Sequence, residues 1–76
     1  MKNLSYKLKV NRGKKATLIL KICYKGKKLK WCERSESFKL IAENNTYDAF
    51  EAAVISTYGK KKGNKIIEKI CEDFNI

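Results

Sequence analysis

The sequence contains no histidine and no proline, and its three cysteines form no Cys-x-x-Cys pair. Without histidine, general acid–base chemistry would need a carboxylate, lysine or tyrosine, and a cysteine nucleophile would lack its usual base. A structural zinc site needs four ligands, more than three cysteines can supply. We therefore expect that the protein is not an enzyme and holds no metal or other cofactor. Cys23, Cys32 and Cys71 are better explained as reduced thiols of a cytosolic protein.

Long apolar runs and glycine-rich phosphate loops are also missing. No apolar run approaches the roughly 20 residues that cross a bilayer. Lysines interrupt the N-terminal segment MKNLSYKLKV, which therefore does not resemble a secretory signal. We expect no membrane partner and a cytoplasmic location, which includes the cytoplasm of an infected host cell. The 76 residues contain no repeat or low-complexity tract, and we expect one domain, 1–76, with a thin core.

Acidic residues are scarce in the first half of the chain. Residues 1–39 contain 13 basic side chains and two glutamates, whereas residues 40–76 contain five lysines and six acids. The net charge of +10 therefore comes from the first half. An asymmetry of this kind predicts an anionic partner for that half. Lysine outnumbers arginine 16 to 2, so few arginines are present to pair with base edges.

What the first half does contain is an alternation of apolar and polar residues, which is the period of a β-strand. Residues 4–10 and 16–24 alternate in this way, and a third strand begins near Lys28. The third strand could continue as far as Phe38 or Leu40. The first half therefore predicts a three-stranded antiparallel sheet within residues 1–40.

Gly13 and Gly26 stand between the alternating runs and predict hairpin turns, with Gly13 in a left-handed conformation. The first turn could pair Val10 with Ala16. In this and every other even register, the apolar residues of the three strands share one face. The second turn would place Ile22 opposite Trp31 or Leu29. The apolar face would also contain the aromatic residues Tyr6, Tyr24 and Trp31. The other face would contain Lys7, Lys9, Lys21, Lys28, Lys30 and Arg34.

The second half of the chain changes to a helical period. Residues 45–59 predict a helix that Asn45 or Thr46 caps and Gly59 ends. After a KKKG linker, residues 64–75 predict a second helix with an isoleucine stripe. We therefore predict an α+β fold in which the three-stranded antiparallel sheet packs on one or two C-terminal helices.

The basic sheet face predicts a small nucleic-acid-binding protein that contacts the phosphate backbone and a groove, with DNA favoured over RNA. The turns at Arg12 and at residues 25–28 would add contacts, and lysines before the last helix could hold a phosphate at its N-terminus. The core position of the aromatics disfavours base stacking. The candidate nucleic-acid-binding residues are Lys7, Lys9, Arg12, Lys14, Lys21, Lys25, Lys27, Lys28, Lys30, Arg34, Lys61 and Lys62.

Two other functions remain open from the sequence. A short basic chain could be an inhibitor that blocks a host or defence protein, for example in phage counter-defence, or an adaptor that docks on an acidic partner. A strand edge or the neutral helical half would then make the contact. Glu43, Asp48 and Glu51 lie close in sequence, so a small metal-dependent nuclease is the third hypothesis. Exposed strand edges could also pair two chains, which leaves both a monomer and an edge-strand dimer open.

The segments ICYKGKKLKWCERSESFKL and TYDAFEAAV contain a Tyr-Lys-Gly-Lys-Lys hairpin, a Phe after the third strand and a short alanine-rich helix. In these features residues 4–58 resemble the N-terminal arm-type DNA-binding domain of phage and transposon tyrosine recombinases. The resemblance implies a three-stranded sheet laid in the major groove with its basic face towards DNA. The small size and general character of the chain suggest an accessory or regulatory protein of a phage or mobile element. The longer join LIAENN and the second helix depart from that family's pattern.

The segment ENNTYDAFEAAV is similar to the start of the first helix in ribonuclease H-like folds, where paired asparagines precede a catalytic acid. Asp48 would occupy the place of that acid. The first strand, YKLKV, lacks the catalytic Asp of those folds, and no further strands follow. This resemblance therefore implies a non-catalytic fragment of that architecture.

Overall fold

The chain forms an antiparallel sheet followed by helices. The computed structural model describes residues 2–43 and 46–74. The predicted α+β class, with a three-stranded antiparallel sheet and C-terminal helices, is confirmed. The chain divides into two compact units, which we call the sheet unit (residues 1–37) and the helical unit (residues 38–76). The elements are β1 Leu4–Arg12, β2 Ala16–Tyr24, β3 Lys27–Glu33, α1 Phe38–Ala42, α2 Thr46–Tyr58 and α3 Lys60–Asp73.

Two short turns join the strands in the order β1-β2-β3. The second turn contains only Lys25 (φ 51°) and Gly26 (φ 81°). Two successive positive φ values define a type I′ turn, whose twist matches that of the paired strands. The first turn has three residues, because Arg12 pairs with Ala16. Gly13 is not among the glycines with positive φ in the described residues, so its predicted left-handed conformation is wrong; this longer turn closes without one.

The register keeps the predicted faces but differs from the predicted pairing of the first hairpin. Val10 pairs with Leu18 rather than with Ala16, because β1 continues further and shortens the turn. The shift is two residues, so each side chain stays on its predicted face. In the second hairpin Ile22 pairs with Leu29, which is one of the two predicted partners.

The third strand ends earlier than its furthest predicted limit. It stops at Glu33, and the possible extension to Phe38 or Leu40 is wrong. The Ser35 hydroxyl donates to the carbonyl of Ser37 (2.8 Å) and accepts from the Ser37 N–H (3.3 Å). This local turn competes with strand pairing, and Phe38 then begins α1.

Aromatic packing organises the helical unit. The Phe38 ring in α1 meets the Phe50 ring of α2 edge-on, with centroids 5.1 Å apart. Phe74, which follows α3, lies 5.5 Å from Phe38, and Tyr47 lies 6.5 Å from it. Phe38 is 2% exposed and Phe50 is fully buried. This cluster therefore connects the three helices that the structure describes.

A single glycine separates α2 from α3. Gly59 (φ 88°) ends α2 as predicted, and the Gly63 N–H donates to its carbonyl at 2.7 Å. The predicted KKKG linker is therefore wrong, since these residues form the first turn of α3. Lysine is a good helix former, so the three lysines are compatible with the first turn of this helix. Of the two predicted caps of α2, Asn45 lies outside the described residues and Thr46 is the first helical residue.

Candidate nucleic-acid interface

One face of the sheet contains five lysines and no acid within β1, β2 and β3. Strand pairing places Lys7, Lys21 and Lys30 in one row across the three strands. Lys28 lies one row towards the second turn, and Lys9 lies one row towards the first turn. All five side chains are exposed. We call these five lysines the basic face.

The basic face is electrostatically unfavourable by itself. Neighbouring strands lie only about 4.8 Å apart, and like charges directly opposite each other destabilise a sheet. Among the described residues the structure shows an ion pair between Lys69 and Asp73 of α3 (3.6 Å) and none on the basic face. Salt or a bound anion would relieve this repulsion.

The basic face contains two hollows between its side chains. Its main hollow has a volume of about 480 Å³. A second hollow of about 200 Å³ shares the Lys7, Lys21 and Lys30 row and extends to Lys9 and Ile19. The two hollows lie on either side of this lysine row, and their lining residues extend from Ser5 to Lys9 along β1, roughly 14 Å. The main hollow is lined by the side chains of Ser5, Lys7, Lys21, Cys23, Lys28 and Lys30 and by the intervening residues Tyr6, Ile22 and Leu29.

The candidate residues of the turns lie at opposite ends of the sheet. Arg12 and Lys14 are at the first turn, and Lys25 and Lys27 are at the second. The two ends are separated by eight residues of strand, roughly 27 Å. Arg12 and Lys27 occupy positions of the apolar face, and the Lys25 ammonium lies 5.4 Å from the centroid of the Tyr24 ring. Only a ligand several base pairs long could reach both turns.

The remaining candidates lie outside the strands. The predicted place of Arg34 on the basic face is wrong, because β3 ends at Glu33. The backbone N–H of Arg34 donates to the Glu33 Oε1 at 3.0 Å. Lys61 and Lys62 are exposed in the first turn of α3, in the helical unit. That turn contains no acid and no side-chain cap. Its lysines are positive, whereas the helix dipole favours negative charge at the N-terminus of a helix.

The aromatic residues of the sheet lie on the face opposite the lysines. Tyr6 pairs with Ile22, and Trp31 pairs with Leu20, which is fully buried. The predicted position of these rings on the apolar face is confirmed, and the same parity places Tyr24 there. In β1, β2 and β3 the basic face has no ring on which a base could stack, unlike the platforms of single-strand binders.

The candidate catalytic acids do not form a metal site. Within residues 2–43 and 46–74, no cluster of three or more His, Cys, Asp or Glu side chains could hold a metal ion. Asp48 is exposed in the first turn of α2, where the helix dipole favours an acid.

The Tyr47 hydroxyl and the Cys71 Sγ are 3.1 Å apart. Burial raises the pKa of Tyr47, and its hydrogen bond with Cys71 raises it further, so this phenol is held protonated.

The sequence-based candidates omitted uncharged residues of the basic side of the sheet that line the hollows. Ser5 and Cys23 line the main hollow, and Ile19 lines the second. Their signal was the same two-residue period that located the lysines, because Ser5 precedes Lys7 by two positions and Cys23 follows Lys21 by two. Selecting residues by charge alone left them out.

Comparison of the chain with protein-family models, with curated proteins and with solved structures finds no match. In the part of the chain that the structure describes, no helix is both long enough and apolar enough to cross a membrane.

Proposed function

We propose that this chain is a small nucleic-acid-binding protein whose basic face contacts the phosphate backbone along a groove of a duplex. The observation that carries the proposal is the row of Lys7, Lys21 and Lys30, with Lys9 and Lys28 beside it and no acid on the face. Lysines that neutralise phosphates release the cations condensed on the nucleic acid, which favours binding at low salt. The role of the chain is binding rather than catalysis.

Two further features support duplex DNA as the preferred form. The basic face offers no aromatic side chain in its three strands, which disfavours single strands held by stacking. The major groove of B-DNA, about 12 Å wide, admits β-structure, whereas the major groove of A-form RNA is too narrow for side chains to read. The three cysteines are free, which is consistent with a reducing compartment such as the cytoplasm.

Fluorescence anisotropy with duplex DNA, single-stranded DNA and RNA tests the proposal. We expect the tightest binding to duplex DNA. If the five lysines of the basic face each neutralise one phosphate, the logarithm of the affinity falls with that of the salt concentration with a slope of about −4.5. Absence of binding to all three nucleic acids at low salt would overturn the proposal and favour an acidic protein as the partner.

A charge-reversal pair tests whether the basic face makes the contact. Lys21→Glu with Lys30→Glu should weaken duplex binding by roughly a hundredfold or more, because two phosphate contacts become repulsive. The matched control is Lys39→Glu with Lys65→Glu, which changes the net charge equally at two exposed positions of the helical unit. Circular dichroism should be unchanged in both. Equal losses of binding in the two variants would show that net charge, and not the basic face, determines affinity.

A further inference from the structure

We propose that the main hollow is the primary phosphate subsite of the basic face and that it holds a run of neighbouring phosphates. This inference rests on the proposed function, since it names the part of the same face that the backbone enters first. The hollow collects four of the five lysines and takes them from all three strands. Lys9 is the one lysine of the basic face that does not line it.

The size of the hollow argues for several phosphates rather than one. Its volume of about 480 Å³ is within the range of small-molecule pockets, roughly 300–1,000 Å³, and far exceeds a single oxyanion. The lining residues of the two hollows together extend for roughly 14 Å along β1, which is room for more than one phosphate of a DNA strand.

The chemistry of the lining argues for phosphate rather than carboxylate. All the charged groups are lysine ammoniums, which bind phosphate as point charges, and the hollow has no arginine fork for a planar carboxylate. The Ser5 hydroxyl adds one neutral donor. No acid lines either hollow to repel an anion. Inorganic tripolyphosphate has this chemistry without any base or sugar, so it is a suitable ligand for a test.

The reactivity of the three cysteines can show where a ligand binds. Cys23 lines the main hollow, Cys32 is exposed on the same face outside both hollows, and Cys71 is in the helical unit. Cys23 and Cys71 are both partly buried, which makes Cys71 a matched control. The measurement is the alkylation rate of each thiol by iodoacetamide, followed by mass spectrometry, with and without tripolyphosphate. Sodium sulfate at equal ionic strength is the salt control.

We expect tripolyphosphate to slow the alkylation of Cys23 severalfold, to affect Cys32 less and to leave Cys71 unchanged. Lys28→Gln should weaken tripolyphosphate binding about threefold, and Lys9→Gln should weaken it less, since Lys9 lies outside the main hollow. Both positions are exposed lysines on edge strands, so the two variants are matched in charge and setting. Equal effects of the two variants would overturn the subsite.

Duplex DNA in the same assay separates this inference from the proposed function. If DNA binds but Cys23 is not protected and tripolyphosphate acts no more strongly than sulfate, the subsite is overturned and the proposed function stands. If tripolyphosphate protects Cys23 but no nucleic acid binds at low salt, the proposed function is overturned and the hollow stands as a polyphosphate site. Protection of Cys23 by both ligands, with competition between them, supports both.

Discussion

The sheet unit and the helical unit are nearly equal in length but differ in charge. Residues 1–37 contain 12 basic and two acidic side chains, whereas residues 38–76 contain six of each. The sheet unit places five lysines together on one face. The helical unit contains the aromatic cluster around Phe38 and the Lys69–Asp73 ion pair. The two units therefore differ in what acts on their stability: charge repulsion in the sheet unit and aromatic packing in the helical unit.

The difference predicts how substitutions in each unit change the stability of the folded state. In the helical unit, closely packed rings and a tight helix crossing lower the free energy of the folded state. In the sheet unit, like charges in one row raise it unless an anion is present. Substitutions in the two units should therefore have opposite signs, which can be measured separately. Trp31, the single tryptophan, reports on the sheet unit by fluorescence, and far-ultraviolet circular dichroism reports on the helices.

The largest effect is expected at the aromatic cluster. Phe50→Ala removes a fully buried ring that contacts Phe38, and a Phe→Ala change of this kind costs about 3–5 kcal/mol of the free energy of unfolding. Urea unfolding followed by circular dichroism measures the loss. Leu40→Ala is the control, because Leu40 is 45% exposed and should change stability by less than about 0.5 kcal/mol. Similar losses in both variants would show that the cluster is not the core of the helical unit.

A smaller effect is expected where α2 and α3 cross. A Cβ at Gly63 would lie 3.0 Å from the Ile55 Cα, and this backbone atom cannot move without displacing α2. Gly63→Ala should therefore lose about 1 kcal/mol, although alanine favours a helix interior. The neighbouring Asn64 is exposed, so Asn64→Ala should gain about 0.5 kcal/mol. Thermal unfolding compares the two variants, and stabilisation by both would refute a close helix crossing.

The sheet was more predictable from the sequence than the helix boundaries were. The two-residue period determined which lysines share a face, and an error of two residues in register did not change that result. By contrast, Phe38 and Leu40 alternate like strand residues, yet Phe38 and Ile41 are buried at helical spacing. In this helical structure Phe38 packs against Phe50. These residues are 12 positions apart, so no local sequence pattern predicts their contact.

Among the sequence signals, glycine predicted turns and helix ends least reliably. Gly26 lies in the second turn and Gly59 ends α2 as predicted, but Gly13 lacks the predicted left-handed conformation, and Gly63, interpreted as part of a linker, lies inside α3. The sequence could not show that Gly63 is positioned against Ile55, because only the fold brings them together. The sequence could not predict the hollows either, since they depend on how the side chains of three paired strands are arranged. The proposed binding function stays a prediction from both the sequence and the structure.

The smallest stability effect is expected on the basic face, and its sign is opposite to the others. Lys21→Glu converts two like-charge cross-strand pairs, with Lys7 and with Lys30, into opposite-charge pairs. We expect the free energy of unfolding, followed by Trp31 fluorescence, to rise by about 0.5–1 kcal/mol at low salt. The gain should largely disappear in about 1 M salt, where charges are screened within about 3 Å.

The same Lys21→Glu variant should bind duplex DNA more weakly while it is more stable, because the acid that relieves the repulsion of the lysines also repels phosphate. Lys65→Glu, an exposed change in the helical unit, should alter neither the Trp31 transition nor the affinity by a comparable amount. If Lys21→Glu destabilises the sheet at low salt, the lysine row is not a source of repulsion. The difference between the two units would then lie in composition alone.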